Sequence, residues 1–300
     1  MKRVKPFARV FGQDIMRGEH IVGGGRMKNL TWVKGERDVN ELDDTSRKNL
    51  AASPRRDAGT GTENIATGTS IFDPVLCELV YRWFCPKAGK ILDPFAGGSV
   101  RGIVAGYLGY SYTGIELRQE QVTENQTQSD SILKDSKPTY MVGDSYNIKD
   151  LAPDKYDLIF SCPPYYNLEC YSDLPGELSA LPTYDEFLTK YKSIISSCVS
   201  MLKDNRFACF CVGDIRDKEG FYHNFVSDTI SAFIDAGTKL YNEAILITSV
   251  GSLPIRVIRQ FSGYRKLGKT HQNVLIFYKG DIKKIKEFGE IEISELDYSD

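Results

Sequence analysis

Short apolar segments alternate with longer segments of helical periodicity from Ile71 onward, whereas the first 69 residues show no such alternation. Short apolar runs predict strands, and apolar residues that recur three or four positions apart predict helices. Strands that alternate with helices indicate a mostly parallel sheet covered by helices on both faces. Strands are predicted at 90–93, 112–116, 156–160, 206–212, 241–248 and 273–278, and one more is predicted to end near Gly143 and Asp144.

The predicted helices lie between these strands, and the first of them has a clear start signal. Asp73 is placed to act as its N-cap and Pro74 to occupy its first position, with helical spacing continuing to about Phe84. No clear helical pattern separates the last two strands, so we expect an antiparallel pair at one edge of the sheet. The other helices are predicted from Ser99 to about Leu108 and at 118–127, 184–202 and 221–236.

Composition divides the chain into three segments. Residues 1–69 are glycine-spotted and loop-rich, and Lys and Arg outnumber Asp and Glu there. Residues 70–282 carry the alternating pattern and are predicted to form the catalytic domain, and residues 283–300 form an acidic C-terminal tail.

The overall charge and the cysteine pattern exclude some classes of protein. A formal net charge of −2 gives no general attraction to a polyanion, so nucleic-acid binding requires a local basic surface. The seven cysteines include no CxxC pair and the chain has three histidines, which favours reduced cysteines and no metal site. The start of the chain lacks the apolar run of a signal peptide, and no segment is long enough to span a bilayer, so we expect a cytoplasmic protein.

A glycine-containing loop joins the strand at 90–93 to the next helix. In open α/β sheets, ligands bind beyond the carboxyl ends of the strands, and glycine lets the backbone approach a ligand closely. Glu116, at the end of the next strand, suits hydrogen bonds to ribose hydroxyls, and Asp144 could accept one from an adenine amino group. A nicotinamide dinucleotide would use the same features, so the cofactor stays open at this point. The loop consists of Asp93, Pro94, Phe95, Ala96, Gly97, Gly98 and Ser99.

A proline-aromatic segment follows the strand at 156–160. Two prolines cannot continue a central strand, so their carbonyl oxygens lie outside the ladder and can accept hydrogen bonds from an amino group. Tyr165 then offers a flat ring on which a base can stack. A base inside a duplex must first be rotated out of the helix to reach such a site. The segment reads Ser161, Cys162, Pro163, Pro164 and Tyr165.

Together the two motifs resemble the DNA amino-methyltransferases, which make N6-methyladenine or N4-methylcytosine. In that family a DPF-A-G-S-G strand end binds S-adenosylmethionine, and an (Asp/Asn/Ser)-Pro-Pro-(Tyr/Phe/Trp) segment holds the target amine. Residues 70–86, 93–106 and 161–173 are similar to the DNA modification methylases of bacteriophages and prophages. The resemblance spans roughly residues 70–280.

The resemblance implies a Rossmann-like class I methyltransferase fold, with an antiparallel strand at one edge of a mostly parallel sheet. It also implies that the helix after Phe72 packs against the methionine end of S-adenosylmethionine. The implied reaction is direct attack of an exocyclic amine on the methyl group, with adenine N6 slightly favoured over cytosine N4.

This sequence departs from the family pattern at two places. Gly98–Ser99 replaces the usual Ser-Gly, and Cys162 stands where the family has Asp, Asn or Ser. A thiol is a weak hydrogen-bonding partner, so Ser161 or the proline carbonyls must then hold the amine. Alternatively, Cys162 is a nucleophile for methylation at a ring carbon. Carbon-methylating DNA enzymes, however, carry their cysteine after the proline.

The segment 251–272, between the last two predicted strands, is the best candidate for a DNA-binding surface. It holds five basic residues and no acidic residue, and Phe261 and Tyr264 lie among them. Cations interleaved with aromatic rings suit contact with phosphates and bases, so double-stranded DNA is the predicted partner. The basic residues are Arg256, Arg259, Arg265, Lys266 and Lys269.

The motifs therefore favour a site-specific DNA methyltransferase that uses S-adenosylmethionine. Two alternatives stay open: a methyltransferase that acts on RNA or protein, and a non-catalytic DNA-binding module with a degenerate cofactor site. The retained Asp93, Glu116 and Pro-Pro-Tyr segment favour the enzyme over the binding module.

Overall fold

Seven strands form a single sheet in this computed structural model, which describes residues 72–168, 171–248, 253–289 and 291. The strands lie in the order β3-β2-β1-β4-β5-β7-β6. They are β1 (Lys90–Asp93), β2 (Ser111–Glu116), β3 (Thr139–Val142), β4 (Tyr156–Ser161), β5 (Leu202–Val212), β6 (Lys239–Ile247) and β7 (His271–Lys279). The predicted basic segment 1–69 lies outside the described residues.

Strands β3, β2, β1, β4 and β5 are parallel, and β7 is the only reversed strand of this sheet. It runs antiparallel to both β5 and β6 and lies between them, so β6 at the edge again points the same way as β1. The predicted Rossmann-like architecture, a mostly parallel sheet with an antiparallel pair at one edge, is confirmed.

Helices connect the strands and cover both faces of the sheet. The α-helices are α1 (Pro74–Phe84), α2 (Val100–Tyr107), α3 (Gln119–Ile132), α4 (Ile148–Leu151), α5 (Tyr184–Met201), α6 (Phe225–Asp235) and α7 (Leu253–Tyr264). Short 3-10 helices lie at Ser145–Asn147, Tyr166–Leu168, Leu178–Ala180 and Ile282–Phe288.

The core has one layer on each face of the sheet. On one face, α5 and α6 pack large side chains such as Phe187, Tyr191 and Phe233 against the strands. On the other face, α1 and α2 contribute Tyr81 and Ile103. Because β1 and β4 are covered on both sides, their sequences are nearly continuous apolar runs, which is the pattern expected of buried parallel strands.

The start of α1 matches its sequence signal. Asp73 Oδ1 accepts hydrogen bonds from the backbone N–H groups of Val75, at 2.8 Å, and Leu76, at 3.3 Å. Pro74 occupies the first turn, where its missing N–H leaves no helical hydrogen bond unmade. The predicted N-cap is therefore confirmed.

The connection between β6 and β7 differs from the prediction. Helix α7 occupies residues that the sequence pattern indicated to be non-helical, so that expectation is wrong. Pro254 falls in the first turn of α7, where a proline is tolerated. Glycines and cations around the apolar positions hid the helical spacing of Leu253, Val257 and Phe261.

Residues beyond 282, the predicted end of the catalytic domain, pack against the sheet. Phe288, in the last 3-10 helix, packs on Phe207 of β5 with ring centroids 5.2 Å apart. The chain therefore still contacts the domain beyond residue 282. Residues 290 and 292–300 of the predicted acidic tail lie outside the described residues.

Candidate active site

The carboxyl ends of the parallel strands bring the predicted site residues to one edge of the sheet. Asp93, Glu116 and Ser161 are the last residues of β1, β2 and β4. Strands β2 and β4 are the two neighbours of β1. Residues that are far apart in sequence therefore surround the loop that follows Asp93, and this is the edge at which α/β sheets bind ligands.

The glycine loop leaves open space beside its backbone. Gly97 has a φ of +52°, which favours glycine, and a Cβ added at Gly97 or Gly98 would meet no atom within 4 Å. The Gly97 N–H donates to Glu116 Oε2 at 3.0 Å, and Asn125 Nδ2 donates to the Gly97 carbonyl at 2.7 Å. The loop is thus held from two sides while its outer surface stays accessible.

Glu116 connects the glycine loop to the start of α3. Its Oε1 accepts from the backbone N–H of Arg118 at 3.0 Å and lies 3.4 Å from the Arg118 Nε. Burial raises the pKa of Glu116, and its hydrogen bonds to Arg118 and Gly97 oppose this shift. A carboxylate has about four acceptor positions, so Glu116 retains capacity for hydroxyl donors from a ligand.

Asp93 is fully buried and each of its carboxylate oxygens accepts hydrogen bonds. The donors are Arg101 Nε at 2.5 Å, the Tyr112 hydroxyl at 2.6 Å, the Ser161 hydroxyl at 2.5 Å and the Phe95 N–H at 3.1 Å. Asp93 therefore joins three strands and the glycine loop, and Ser161, which is itself fully buried, faces Asp93. Both residues fix the relative positions of the strand ends from which the glycine loop and the proline-aromatic segment continue.

Arg101 contributes to the site without having been identified from the sequence. Its guanidinium donates to the carbonyl oxygens of Phe95, at 2.6 Å, and Ala96, at 2.9 Å, and it also pairs with Asp93. The ring of Phe72 covers the guanidinium, with the centroid 4.6 Å from its carbon. The sequence did carry a signal for Arg101, which is a single cation within the otherwise apolar sequence of α2. Such a cation is expected to be buried beside an acidic partner, because a buried charge requires one.

Other residues of the loop also have protein partners. The Pro94 carbonyl accepts from the Ser145 hydroxyl, and the Ser99 hydroxyl lies 2.5 Å from Gln128 Oε1. The Phe95 ring stacks on Tyr191, with centroids 6.2 Å apart. Within the loop, Gly97 and Gly98 therefore present the most open backbone surface.

The structure places Asp144 at the same edge and pairs it with Lys190 of α5. Asp144 Oδ1 caps the next 3-10 helix through the N–H of Tyr146 at 2.9 Å, and Asp144 Oδ2 lies 2.7 Å from Lys190 Nζ. Lys190 also donates to the Gly176 carbonyl at 2.9 Å. An adenine amino group would therefore share the Asp144 carboxylate with an existing cation.

The proline-aromatic segment leaves the sheet where the β4–β5 ladder ends, at Ser161. Pro163 and Pro164 have no N–H group to continue a ladder, which leaves Tyr165 beyond the strand end. The Tyr165 ring packs edge-on against Phe225, with centroids 5.8 Å apart. The predicted stacking ring is therefore held by the start of α6.

The Tyr165 hydroxyl has a partner that the sequence analysis missed. Gln272 Nε2, at the start of β7, donates to this hydroxyl at 2.6 Å. The hydroxyl lies 3.5 Å from the Cys211 carbonyl oxygen and 3.7 Å from Cys162 Sγ. Burial raises the pKa of Tyr165 well above its usual value, so the phenol stays protonated. Only the antiparallel insertion of β7 beside β5 reveals Gln272, because no local motif marks it.

Cys162 lies beside a second cysteine. The β4–β5 register pairs Phe160 with Cys209 and Ser161 with Phe210, which brings Cys162 opposite Cys211. A hydrogen bond from Cys211, together with the nearby charge of Arg101, lowers the pKa of the Cys162 thiol. The residue that departs from the resembled pattern therefore lies beside a second thiol and near the Arg101 charge.

The β6–β7 connection carries the predicted basic residues at the carboxyl edge. Arg259 and Arg265 are exposed, whereas Lys266 and Lys269 are partly buried, and Lys269 Nζ lies 3.7 Å from Asp214 Oδ2. Arg256 lies within α7. β6 ends and β7 begins at the carboxyl ends of the parallel strands. The basic residues of the connection therefore lie at the same end of the sheet as Tyr165.

Comparisons with known proteins find weak structural similarity. Neither a family model nor a curated protein sequence matches the chain. Among solved structures, TrmN from Thermus thermophilus is 12% identical over 69% of this chain and 49% of that chain, with a TM-score of 0.47. This chain therefore matches about half the length of TrmN.

Two further solved structures cover more of their own length. A methyltransferase from Pyrococcus furiosus is 15% identical over 70% of this chain and 84% of that chain, with a TM-score of 0.45. Magnesium protoporphyrin IX methyltransferase (ChlM) from Synechocystis PCC 6803, solved with bound SAM, is 16% identical over 80% and 98%, also with a TM-score of 0.45. At this level of similarity, functional argument rests on the residues of this chain.

Two further properties concern the described residues alone. Among residues 72–168, 171–248 and 253–289, no helix combines the length and apolar character that a membrane span needs. Within the same ranges, no group of three or more His, Cys, Asp or Glu side chains could hold a metal ion.

Proposed function

We propose that this protein is an S-adenosylmethionine-dependent methyltransferase that modifies an exocyclic amino group of a DNA base. The observation that carries the proposal is the 2.5 Å hydrogen bond between the Ser161 hydroxyl and Asp93 Oδ1. It ties the proline-aromatic segment to the glycine loop, so a cofactor site and a base-stacking site adjoin each other at one sheet edge.

The glycine loop fits the adenosine part of S-adenosylmethionine. Open space beside Gly97 and Gly98 would admit a ligand against the backbone, and Glu116, which adjoins Gly97, has acceptor capacity left for ribose hydroxyls. Asp144 would accept from the adenine amino group beside Lys190. Phe72, whose ring covers the Arg101 guanidinium, is the residue that we expect to contact the methionine end. When bound, S-adenosylmethionine supplies an electrophilic methyl group on a sulfonium ion.

The proline-aromatic segment fits a flipped base. The Tyr165 ring offers a stacking surface, and the carbonyl oxygens of the Cys162-Pro163-Pro164 backbone can accept the two N–H groups of an exocyclic amine. Hydrogen bonds that the amine donates to a fixed backbone would hold its nitrogen in one orientation. Such positioning is the main contribution that an enzyme makes to a direct displacement.

The chain's own groups favour a mechanism without a general base. Asp93 is fully buried and hydrogen-bonded on both oxygens, and Glu116 is held by Gly97 and Arg118. Neither carboxylate is free to take a proton from the amine, so the proton that the nitrogen loses on methyl transfer from S-adenosylmethionine would pass to water. Adenine N6 is the slightly favoured acceptor over cytosine N4.

Transfer of tritiated methyl groups tests the proposal. Purified protein is incubated with labelled S-adenosylmethionine and with duplex DNA, RNA or protein, and the modified nucleoside is identified by mass. Label in duplex DNA as N6-methyladenine or N4-methylcytosine is the expected result. Label confined to RNA or protein would support the alternative substrates, and DNA binding without any transfer would support a non-catalytic module.

A pair of tyrosine variants locates the activity. Tyr165→Ala is expected to lose most methyl transfer while S-adenosylmethionine affinity stays within about twofold, because base stacking contributes about 1–3 kcal/mol. Tyr241→Ala is the matched control. This half-exposed tyrosine lies near the start of β6, at the end of the sheet opposite the carboxyl ends of the parallel strands. Equal activity in the two variants would contradict the assigned role of Tyr165.

A further inference from the structure

A tight turn at residues 214–223 projects from the carboxyl edge, two residues after β5 ends. His223 N–H donates to the Ile215 carbonyl at 3.0 Å, and Arg216 pairs with Tyr222 in a single antiparallel bridge. Asp217 Oδ1 accepts from the N–H groups of Gly220, at 2.6 Å, and Phe221, at 2.8 Å. The backbone of the turn is therefore fixed on both sides of its tip.

The tip of this turn presents aromatic rings to solvent. Phe221 is 69% exposed, which is a large exposure for a phenylalanine on a well-hydrogen-bonded backbone. The neighbouring Tyr222 is 41% exposed, and the Arg216 guanidinium lies 3.9 Å from the centroid of its ring. Because a cation holds one ring in place, the adjacent Phe221 ring extends from a defined position.

The turn packs against the basic connection between β6 and β7. Lys269 Nζ lies 3.7 Å from Asp214 Oδ2, and a Cβ added at Gly220 would collide with the Lys266 side chain. The Lys266 ammonium lies 5.5 Å from the centroid of the exposed Tyr264 ring. Cations and exposed rings thus alternate over both segments, which suits a polyanion that also has flat bases.

The turn is also joined to the candidate active site. The His223 ring stacks on Tyr184 with centroids 4.3 Å apart, and it meets the edge of Tyr166 at 5.6 Å. Tyr166 directly follows Tyr165, the proposed stacking ring. Phe221 is therefore carried by a rigid element that contacts the neighbour of the ring on which the target base would stack.

From these contacts we infer that Phe221 enters the base stack of duplex DNA when the target base leaves it. The inference rests on the proposed function and adds a residue to it. Removing a base from a duplex exposes the flat faces of its neighbours, and apolar side chains that insert between base steps cover such faces. Tyr222 and Arg216 keep the ring oriented, and Lys266 provides a cation for the flanking phosphates.

Single-stranded DNA distinguishes this role from a role in catalysis, because its bases need not be extracted from a duplex. Methyl transfer is measured on a circular single-stranded DNA and on its double-stranded form, both from a host that lacks the modification. Phe221→Ala is expected to slow transfer to the duplex about tenfold and to leave transfer to the single strand within about twofold. Phe221→Trp is expected to restore at least half of the duplex rate, since it retains a flat apolar ring.

Ile234→Ala provides the matched control. Ile234 is 50% exposed on α6, near the opposite edge of the sheet, so its truncation removes exposed apolar surface far from the turn. Both transfer rates are expected to stay at the parent level. An equal loss on the two DNA forms in Phe221→Ala, or no loss on the duplex, would overturn the inference.

Permanganate oxidation of unstacked thymines gives a second measurement that does not depend on turnover. The parent bound to duplex DNA is expected to increase thymine reactivity, and Phe221→Ala is expected to lose this increase at equal occupancy. If the parent transfers methyl groups to neither DNA form, the proposed function fails. If the parent is active on duplex DNA and Phe221→Ala matches it in rate and thymine reactivity, only the intercalating role is rejected.

Discussion

Gln272 Nε2 donates a 2.6 Å hydrogen bond to the hydroxyl of Tyr165, a residue 107 positions earlier in the chain. Gln272 is the second residue of β7, just after the connection that carries the basic residues, whereas Tyr165 is the proposed stacking ring. If the connection binds DNA as proposed, a contact there would affect the orientation of the Tyr165 ring through a single side chain.

Removing this hydrogen bond is predicted to reduce turnover. Gln272→Leu leaves the half-buried Tyr165 hydroxyl without its donor, at a cost of about 1–3 kcal/mol. We expect kcat for methyl transfer to fall about tenfold, with S-adenosylmethionine affinity unchanged. Gln272→Glu, which can accept from the same hydroxyl, should recover part of kcat. A loss of protein stability with a normal kcat would indicate a merely structural contact.

Glu116 is predicted to support cofactor binding through the glycine loop. Glu116→Ala removes the acceptor for the Gly97 N–H and any ribose contact, so the affinity for S-adenosylmethionine should fall by about 1–3 kcal/mol. Calorimetry measures this change. Glu120→Ala, an exposed carboxylate in the first turn of α3, is the control and should bind normally. Unchanged affinity in Glu116→Ala, or tight binding of a nicotinamide dinucleotide, would contradict the assignment.

Cys162 is predicted not to form a covalent bond to the substrate. Its lowered pKa makes a thiolate more accessible than in an ordinary cysteine, so the alternative of carbon methylation requires a direct test. Cys162→Ser should keep substantial activity, because serine is a residue that the resembled family accepts there. DNA containing a 5-fluorinated pyrimidine should form no adduct on a denaturing gel. An inactive serine variant together with a parent adduct would establish the nucleophilic mechanism.

The basic connection is predicted to provide phosphate contacts. Changing Arg256, Arg259, Arg265 and Lys266 together to glutamine should leave cofactor affinity unchanged and weaken DNA binding. The slope of log K against log salt should decrease by up to about 0.9 per lost phosphate contact. A matched variant neutralises Lys239, Lys283, Lys284 and Lys286, which lie at the opposite edge of the sheet, and its slope should stay at the parent value. An unchanged slope in the first variant would locate the DNA surface elsewhere.

Arg101 is predicted to be important for stability. Its side chain is 6% exposed and pairs with the fully buried Asp93, so Arg101→Met leaves an uncompensated charge inside the protein. The free energy of unfolding should fall by about 3–5 kcal/mol. The control is Arg82→Met, which breaks a 2.8 Å ion pair between Arg82 and Glu78, both on α1. The Arg82 side chain is 51% exposed, so this change should lower the free energy of unfolding by about 0–1 kcal/mol. Denaturant titration of both variants compares them, and equal losses would contradict the buried-charge argument.

The sequence predicted most of the local structure because its signals are local. The Asp73–Pro74 start of α1 and the apolar runs of β1 and β4 each depend on neighbouring residues. Helix α7 was missed because cations and glycines typical of a loop surround its apolar positions. The predicted helix at 221–236 overlaps the turn at 214–223, whereas the observed helix α6 begins at Phe225. The helical periodicity of the sequence continues a few residues upstream of the point where the helix begins.

Apart from α7, the sequence alone therefore determined the order of the main helices and strands and the two motifs at the ends of β1 and β4. Parallel strands end at one edge, so the carboxyl-edge location of both motifs followed from their positions after strands. Only the tertiary structure decided which side chains meet there: Arg101 beneath the glycine loop, Lys190 on Asp144, and Gln272 on Tyr165. These contacts depend on strand order and on the insertion of β7 between β5 and β6, and such long-range pairing leaves no periodic trace in the sequence.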